Sequence, residues 1–256
     1  MENPSDDEAE TPRYTLVTGE GTKQHSSREY TGVGRATYYF DEGKREEFEG
    51  HYLNGVREGK GSYRYANGDS YEGDFQLNKK HGIGTARYKE QPPEDTEEDP
   101  ALNESVRERF STYLGHFREG KRDESGAIVY ANGDVYIGGW SNGKKSGFGK
   151  YRFAADKSQL VGYWQQGRMQ YGRWNLPSGI YYAGFFKRNK PWGKGVWVFP
   201  RSGNQVIGEY IQKVKDAAEE PAEEGQEPGE ESLPPDELLE IESVEFMCRQ
   251  CTSLRE

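Results

Sequence analysis

Aromatic residues and glycines recur along this chain at fixed spacings, with polar residues between them. In Tyr71-Glu-Gly-Asp-Phe75, an aromatic residue, a glycine and a second aromatic residue occupy alternate positions, which share one face of a strand. A Gly-x-Gly follows at Gly82 and Gly84, again with a period of two. This alternation predicts two short strands, each with one apolar face, joined by a turn.

The pattern is an internal repeat. Copies begin at Phe48, Tyr71, Tyr113, Tyr136, Leu160 and Tyr182, and the Leu160 copy has lost part of its second half. We number each copy from its first residue: position 0 is the first ring, +2 a glycine, +4 the second ring, and +11 and +13 the Gly-x-Gly. The residues that define three strong copies are Tyr71, Gly73, Phe75, Gly82, Gly84, Tyr136, Gly138, Trp140, Gly147, Gly149, Tyr182, Gly184, Phe186, Gly193 and Gly195.

One copy forms one hairpin, which is too small to be stable alone, so neighbouring copies must pack in series. Glycines at +2, +11 and +13 leave backbone on which rings from the strands can lie. Asn67-Gly68-Asp69 and Asn132-Gly133-Asp134 are turns that connect one hairpin to the next. The sequence therefore predicts an all-β fold: an elongated, single-layer antiparallel sheet of serial β-hairpins.

The charge distribution predicts the domain boundaries. Acidic segments without bases lie at the start of the chain, within 90–106 and within 216–245, and the rest of the chain carries fifteen more Lys and Arg than Asp and Glu. We expect a disordered N-terminus over 1–13, a repeat domain over 14–215 with an acidic insertion at 90–112, and an acidic disordered tail over 216–256. A short helix over 236–250 is favoured by the spacing of Leu238, Leu239, Ile241 and Val244. Either this helix docks on a partner, or the pattern arises by chance.

Composition excludes several classes. Aromatic residues make up 13% of the chain, which is unusual for a wholly disordered protein. No stretch approaches about 18 consecutive apolar residues, the length of a membrane-spanning helix. The acidic start lacks an apolar signal segment, so we expect a soluble, intracellular protein.

The turn tips carry the most notable candidate site. Positions +8 and +9 are rich in cations, and in serial hairpins these turns lie along one edge of the sheet. Two interpretations are possible: the cations keep the turns soluble, or they form a basic edge that binds an anionic partner. The basic-edge residues are Arg57, Lys79, Lys80, Lys121, Arg122, Lys144, Lys145, Arg168 and Lys190.

Catalytic, metal and cofactor chemistry is not expected. The Gly-x-Gly segments lack the third glycine and the helix of a dinucleotide-binding loop. Cys248 and Cys251 have no second pair for a structural zinc site and are expected as reduced thiols on a helix. His51 and His116 occupy the same repeat position and are expected to lie far apart. No nucleic-acid-binding motif is present, so no nucleic-acid partner is expected.

The motif Tyr-x-Gly-x-(Phe/Trp)-x-x-Gly-x-x-x-Gly-x-Gly resembles the MORN repeat, over about Tyr30 to Tyr210. The order of features, with Glu29-Tyr-Thr-Gly32 first and Gly208-Glu-Tyr210 last, is most similar to the radial spoke head protein 1 group of cilia and flagella. The insertion at 90–112 departs from that group.

That resemblance implies a non-enzymatic scaffold of the axonemal cytoskeleton that supports motility. Its implied partners are other radial spoke head proteins and the central-pair apparatus, in a homo- or hetero-oligomer. Two alternatives remain open: a peripheral module that binds anionic phospholipid, and a scaffold that positions an enzyme.

Overall fold

The computed structural model describes residues 13–40, 43–90, 109–214 and 241–253, and these contain β-strands but no α-helix. The chain divides into two compact units, with the boundary after Gly143. Unit 1 holds ten strands: β1 (Tyr14–Thr18), β2 (Lys23–Gln24), β3 (Gly32–Tyr39), β4 (Arg45–Leu53), β5 (Val56–Arg64), β6 (Ser70–Gln76), β7 (Lys79–Lys89), β8 (Phe110–Arg118), β9 (Lys121–Val129) and β10 (Val135–Ser141).

Unit 2 continues from Lys144. Its strands are β11 (Lys144–Arg152), β12 (Gln159–Gln165), β13 (Arg168–Asn175), β14 (Tyr181–Lys187), β15 (Lys190–Phe199), β16 (Asn204–Val214) and β17 (Ile241–Ser253). Within each unit, consecutive strands pair antiparallel from β3 to β10 and from β11 to β17, and β1 pairs with β2 and β3. The predicted antiparallel sheet of serial hairpins is therefore confirmed within each unit.

Glycines face one another across each consecutive pair of strands from β3 to β10 and from β11 to β16, whereas β17 places Cys248 opposite Gly208. This row follows from the repeat, because the +2 glycine of one strand is in register with the +13 glycine of the next. In unit 1 it comprises Gly34, Gly50, Gly61, Gly73, Gly84, Gly115, Gly126 and Gly138, and in unit 2 Gly149, Gly162, Gly172, Gly184, Gly195 and Gly208.

The ring at position 0 lies directly on this row. A Cβ added at Gly84 would lie 2.5 Å from the Tyr71 ring, and one at Gly61 would lie 2.6 Å from Phe48. Position 0 and +4 rings then alternate in edge-to-face contacts across the strands, with Tyr71 and Tyr113 5.0 and 5.1 Å from Phe117. The core is thus a single layer of rings on one face of the sheet, which we call the ring face.

The prediction that rings lie on the +11 glycine is wrong. No ring lies on Gly82 or Gly147; instead both have a positive φ, 55° and 73°, where an L side chain is strained. The register shifts beside this position, as at Gly73/Asp74, which identifies a β-bulge. Glu124 adopts the same left-handed conformation, with a φ of 55°, in the copy that lacks this glycine.

Two predicted segments require correction. The helix predicted over 236–250 is wrong for its described part, because β17 begins at Ile241 and pairs with β16 over eleven residue pairs. Ile241, Val244 and Phe246 favour strands, and the edge of β16 presents unpaired backbone N–H and C=O groups with which β17 pairs. Cys248 and Cys251 consequently lie on a strand, and the 241–253 part of the predicted disordered tail is ordered.

The acidic insertion is shorter than predicted. β7 extends to Lys89 and β8 begins at Phe110, so 110–112 belong to a strand that pairs with β7. Residues 91–108 lie outside the described part, as do 1–12, 215–240 and 254–256, on which the other predicted disorder falls.

Candidate functional site: the basic edge and the ring face

All nine basic-edge residues lie at or next to the first residue of the second strand of their hairpin. Lys79, Lys121, Lys144 and Lys190 begin β7, β9, β11 and β15 and are exposed. Unit 1 holds Arg57, Lys79, Lys80, Lys121 and Arg122, and unit 2 holds Lys144, Lys145, Arg168 and Lys190. The structure thus brings the predicted residues of each unit to its turn tips.

The edge nevertheless consists of two sets with different surroundings. The side chains alternate between faces along a strand, so +8 and +9 point in opposite directions. The four +8 lysines are exposed, whereas Arg57, Lys80, Arg122 and Lys145, all at +9, are half-buried on the ring face. The +9 cations therefore do not share the solvent-exposed surroundings of the +8 lysines.

Each +9 cation lies over several rings. The Arg122 guanidinium is 4.3 Å from the Trp140 ring centroid and 5.7 Å from that of Tyr113. Lys145 Nζ lies 4.5 Å from the Trp164 centroid. Arg57 and Lys80 each contact three rings within 6 Å. Such cation–π contacts, partly removed from water, stabilise the ring layer by about 1–2 kcal/mol each.

The turns of successive hairpins are also hydrogen-bonded to one another through the +9 residues. Gly120 N–H donates to the Lys80 carbonyl at 2.8 Å, and Gly143 N–H donates to the Arg122 carbonyl at 2.8 Å. The Arg122 guanidinium donates back to the Gly143 carbonyl, also at 2.8 Å. These bonds fix the position of each +8 lysine relative to the next within a unit.

Burial changes the protonation behaviour of this face. Loss of hydration lowers the pKa of Lys80 below its usual value, with Arg122 acting in the same direction and Asp69 opposing it. Burial also raises the pKa of Tyr65 and of Tyr182 to about 12, the nearby Arg57 opposing the shift at Tyr65. Both tyrosines therefore keep their phenolic protons at neutral pH.

A cleft opens on the ring face of unit 2 where the repeat is eroded. It has a volume of about 360 Å³, and its walls include Phe153, Leu160, Trp174 and Phe186. Leu160 occupies the position at which the other copies have a ring. Met169, which is fully buried, occupies the position at which four other copies have the +9 cation. The eroded pattern in the sequence thus indicates where the ring layer is interrupted and where the cleft lies.

The remaining candidates form no site. Cys248 Sγ and Cys251 Sγ are 3.5 Å apart and exposed, and hydrogen bonding to Cys248 raises the pKa of Cys251. Within the described ranges, no three His, Cys, Asp or Glu side chains cluster in a way that would hold a metal ion. In the part of the chain that the structure describes, there is no helix long and apolar enough to span a membrane.

Comparison with known proteins bears directly on this repeat. The MORN repeat model matches five segments, 48–70, 71–90, 113–135, 136–155 and 182–203, which start at the first residues of five of the six predicted copies. The chain carries MORN repeats. The Leu160 copy lies outside these MORN matches, in agreement with its eroded pattern.

The chain is also similar to proteins that contain many more residues. It is 26% identical to Alsin of Rattus norvegicus over 210 residues, which is 70% of this chain and 12% of that protein. It is 27% identical to human Alsin over 53% of the chain and 9% of that protein, and 29% identical to human ALS2 C-terminal-like protein over 40% and 9%. The chain thus spans about a tenth of these relatives, and they do not support the radial spoke resemblance.

Proposed function

We propose that this protein is a non-enzymatic scaffold and that, within each unit, the +8 lysines hold an anionic segment of a partner protein. The observation that carries the proposal is the division of the basic edge. The +9 cations contact rings, while four of the six hairpins carry an exposed lysine at +8, and the turns before Lys79, Lys121 and Lys144 are hydrogen-bonded through their backbone to the preceding hairpin. An ordered row of cations attracts a long anionic partner more strongly than scattered cations do.

The more specific proposal concerns location. We propose the axoneme of a motile cilium or flagellum, at the radial spoke head, with other spoke head proteins and the central-pair apparatus as neighbours. Its support is the order of repeat features along the sequence, from 29–32 to 208–210. Localisation of a tagged copy tests this: a detergent-resistant axonemal position supports it, whereas a membrane rim favours the phospholipid-binding alternative.

The scaffold itself is tested by reversing charge at the +8 positions. Lys79, Lys121, Lys144 and Lys190 changed together to Glu should lower the salt concentration that releases the tagged protein from isolated axonemes, because exposed charge pairs are screened by salt. A control variant reverses four exposed cations away from the turn tips: Lys23, Arg64, Arg152 and Arg201. Unchanged salt release of the +8 variant, or an equal loss in the control, would contradict the proposal.

A further inference from the structure

The face of unit 2 opposite the ring face carries a second row of aromatic residues. Phe148, Tyr163, Tyr171, Phe185 and Trp192 are cross-strand neighbours in register from β11 to β15. Their side chains are 46–59% exposed, although rings of this size are the largest apolar groups a protein can bury. We call these five residues the outer ladder.

The outer ladder is an ordered surface. The Phe148 and Tyr163 ring centroids are 5.5 Å apart in an edge-to-face contact, and the Tyr163 and Tyr171 rings stack at 4.8 Å. Four steps between neighbouring strands give the row a length of about 19 Å, perpendicular to the strands. It is therefore a continuous, mainly apolar strip, one ring wide.

Cations flank the strip on both sides. Lys150 and Arg173 lie two residues beyond Phe148 and Tyr171 in a common cross-strand row, and both are exposed. Lys187 lies two residues beyond Phe185 in the opposite direction, with its Nζ 5.8 Å from the Trp192 centroid. Residues 144–208 contain twelve Lys and Arg and a single acid, Asp156.

These features select one kind of occupant. A second copy of the same face would bring like charges together, which disfavours self-association. A continuous, mainly apolar strip bordered by cations complements a helix with an apolar stripe and acidic flanks. At 1.5 Å per residue, about 13 helical residues would match its length.

We propose that the outer ladder of unit 2 is a docking surface for an acidic amphipathic helix of a partner protein. The rings bind the apolar stripe of that helix, and Lys150, Arg173 and Lys187 interact with its flanking carboxylates. The outer ladder lies on the face opposite the ring face. At one end it adjoins the proposed scaffold edge, because Lys187 is the cross-strand partner of the +8 lysine Lys190.

The test uses the full-length protein and a fluorescent peptide of about 18 residues, roughly five helical turns. Leucines form one stripe of this peptide, and Glu and Ala occupy its other positions. Saturable binding that weakens with added salt is expected. A matched peptide with Lys in place of Glu should not bind. Absence of saturable binding by the acidic peptide would overturn the proposal.

Two variants assign the binding to the ladder. Tyr163→Thr, Tyr171→Thr and Phe185→Thr combined should weaken peptide binding at least about tenfold, as expected for central aromatic contacts. Lys150→Glu with Arg173→Glu should weaken it with the rings intact. The control combines Ile83→Thr, Leu114→Thr and Ile137→Thr, exposed apolar residues of unit 1, and should leave affinity within about twofold.

Far-ultraviolet circular dichroism identifies any variant that fails to fold. If the triple aromatic variant does not fold, the variant with Lys150→Glu and Arg173→Glu tests the proposal.

Two further probes separate the classes of ligand: oligothymidine, and vesicles of phosphatidylcholine with phosphatidylserine. Tighter binding of either probe than of the acidic peptide, lost in the ladder variant, would overturn the helix proposal in favour of nucleic acid or membrane. Equal peptide affinity in wild type and ladder variant would overturn it as well.

Discussion

Each of the two units has a ring face built from the same repeat, but the units differ on the opposite face. In unit 1 that face carries ion pairs, such as Arg35 with Glu49 and Lys60 with Asp74, each at 2.7 Å. In unit 2 the strands β11–β15 carry the outer ladder and no acidic residue, whereas β16 and β17 again carry ion pairs, such as Arg249 with Glu209 at 2.8 Å. The repeat pattern constrains only the residues that lie on the glycine row. Its other face is free to vary, and this is where two units built from one repeat acquire different surfaces.

The ring faces also differ in regularity. In unit 1, Phe48, Tyr71, Tyr113 and Tyr136 occupy position 0 and are almost completely buried. In unit 2 one such position is Leu160, and the cleft opens beside it. A regular ring layer is a closed core, whereas an interrupted layer leaves an accessible apolar surface.

The largest expected effect contrasts a ring on the ring face with a ring on the outer ladder. Trp140 is 4% exposed, contacts the Tyr113 ring at 5.2 Å and donates its indole N–H to the Gly126 carbonyl. Trp140→Ala should lower the free energy of unfolding by about 3–5 kcal/mol. Tyr171→Ala removes a half-exposed ring and should cost less than about 1 kcal/mol.

Urea denaturation followed by circular dichroism measures both values. If Trp140→Ala costs under about 1 kcal/mol, the ring face is not the core of unit 1. A Tyr171→Ala loss as large as that of Trp140→Ala would mean that the outer ladder is structural, which removes the contrast between the two faces.

A smaller effect is expected when the +9 cation of unit 1 is changed to the residue that the eroded copy of unit 2 has at +9. Arg122 lies over Trp140 in unit 1, and the equivalent residue in the eroded copy is the buried Met169. Arg122→Met keeps most of the packing but loses the cation–π contact and the hydrogen bond to Gly143. It should cost about 1–2 kcal/mol in urea denaturation. Lys121→Met, at the exposed neighbouring position, is the control and should be nearly neutral.

Much of this architecture follows from the sequence. Position 0, +2 and +4 residues were assigned correctly to one face because strands alternate with a period of two, which no tertiary contact can change. The turn at Asn54 and Gly55 was also predictable, since both adopt the positive φ that a two-residue hairpin turn requires.

Other features could not be read from spacing. The bulge at +11 depends on the backbone register between two strands. Because spacing alone does not reveal that register, it assigns Gly82 and Gly84 to the same face of the strand. The division of the basic edge depends on which side chains reach rings of the next hairpin, as Lys80 reaches Phe117. The outer ladder joins residues of five strands through registers that only the paired sheet defines. Strand β17 was missed because Leu238, Ile241 and Val244 fit helical spacing as well.

The next contrast removes a single hydroxyl group from each unit. Tyr71 Oη donates to the Asp74 carbonyl at 2.8 Å, whereas the buried Tyr182 Oη has no hydrogen-bond partner among the described residues. Tyr71→Phe should therefore lower the free energy of unfolding by about 1 kcal/mol. Tyr182→Phe should be neutral or slightly stabilising, because it removes a buried polar group that lacks a partner. Thermal unfolding of the two variants in parallel measures the difference, and equal losses would contradict it.

The smallest effects are expected at the +8 lysines, and they test whether the two units contribute equally to the proposed edge. Lys79 and Lys121 belong to unit 1, and Lys144 and Lys190 to unit 2. Each single Lys→Ala change should alter the free energy of unfolding by less than about 0.5 kcal/mol, because the side chains are exposed. Each should also cost only about 0.2–1 kcal/mol in partner binding, the usual value of an exposed ion pair.

If the field of the edge is additive, reversing both lysines of unit 1 should lower salt-resistant retention on axonemes as much as reversing both lysines of unit 2. Reversal of all four should lower it further, and the differences should shrink at high salt. A loss confined to the unit 2 pair would instead mean that Lys144 and Lys190 act alone. In that case unit 1 supplies ordered hairpins and its turn lysines are merely solvated.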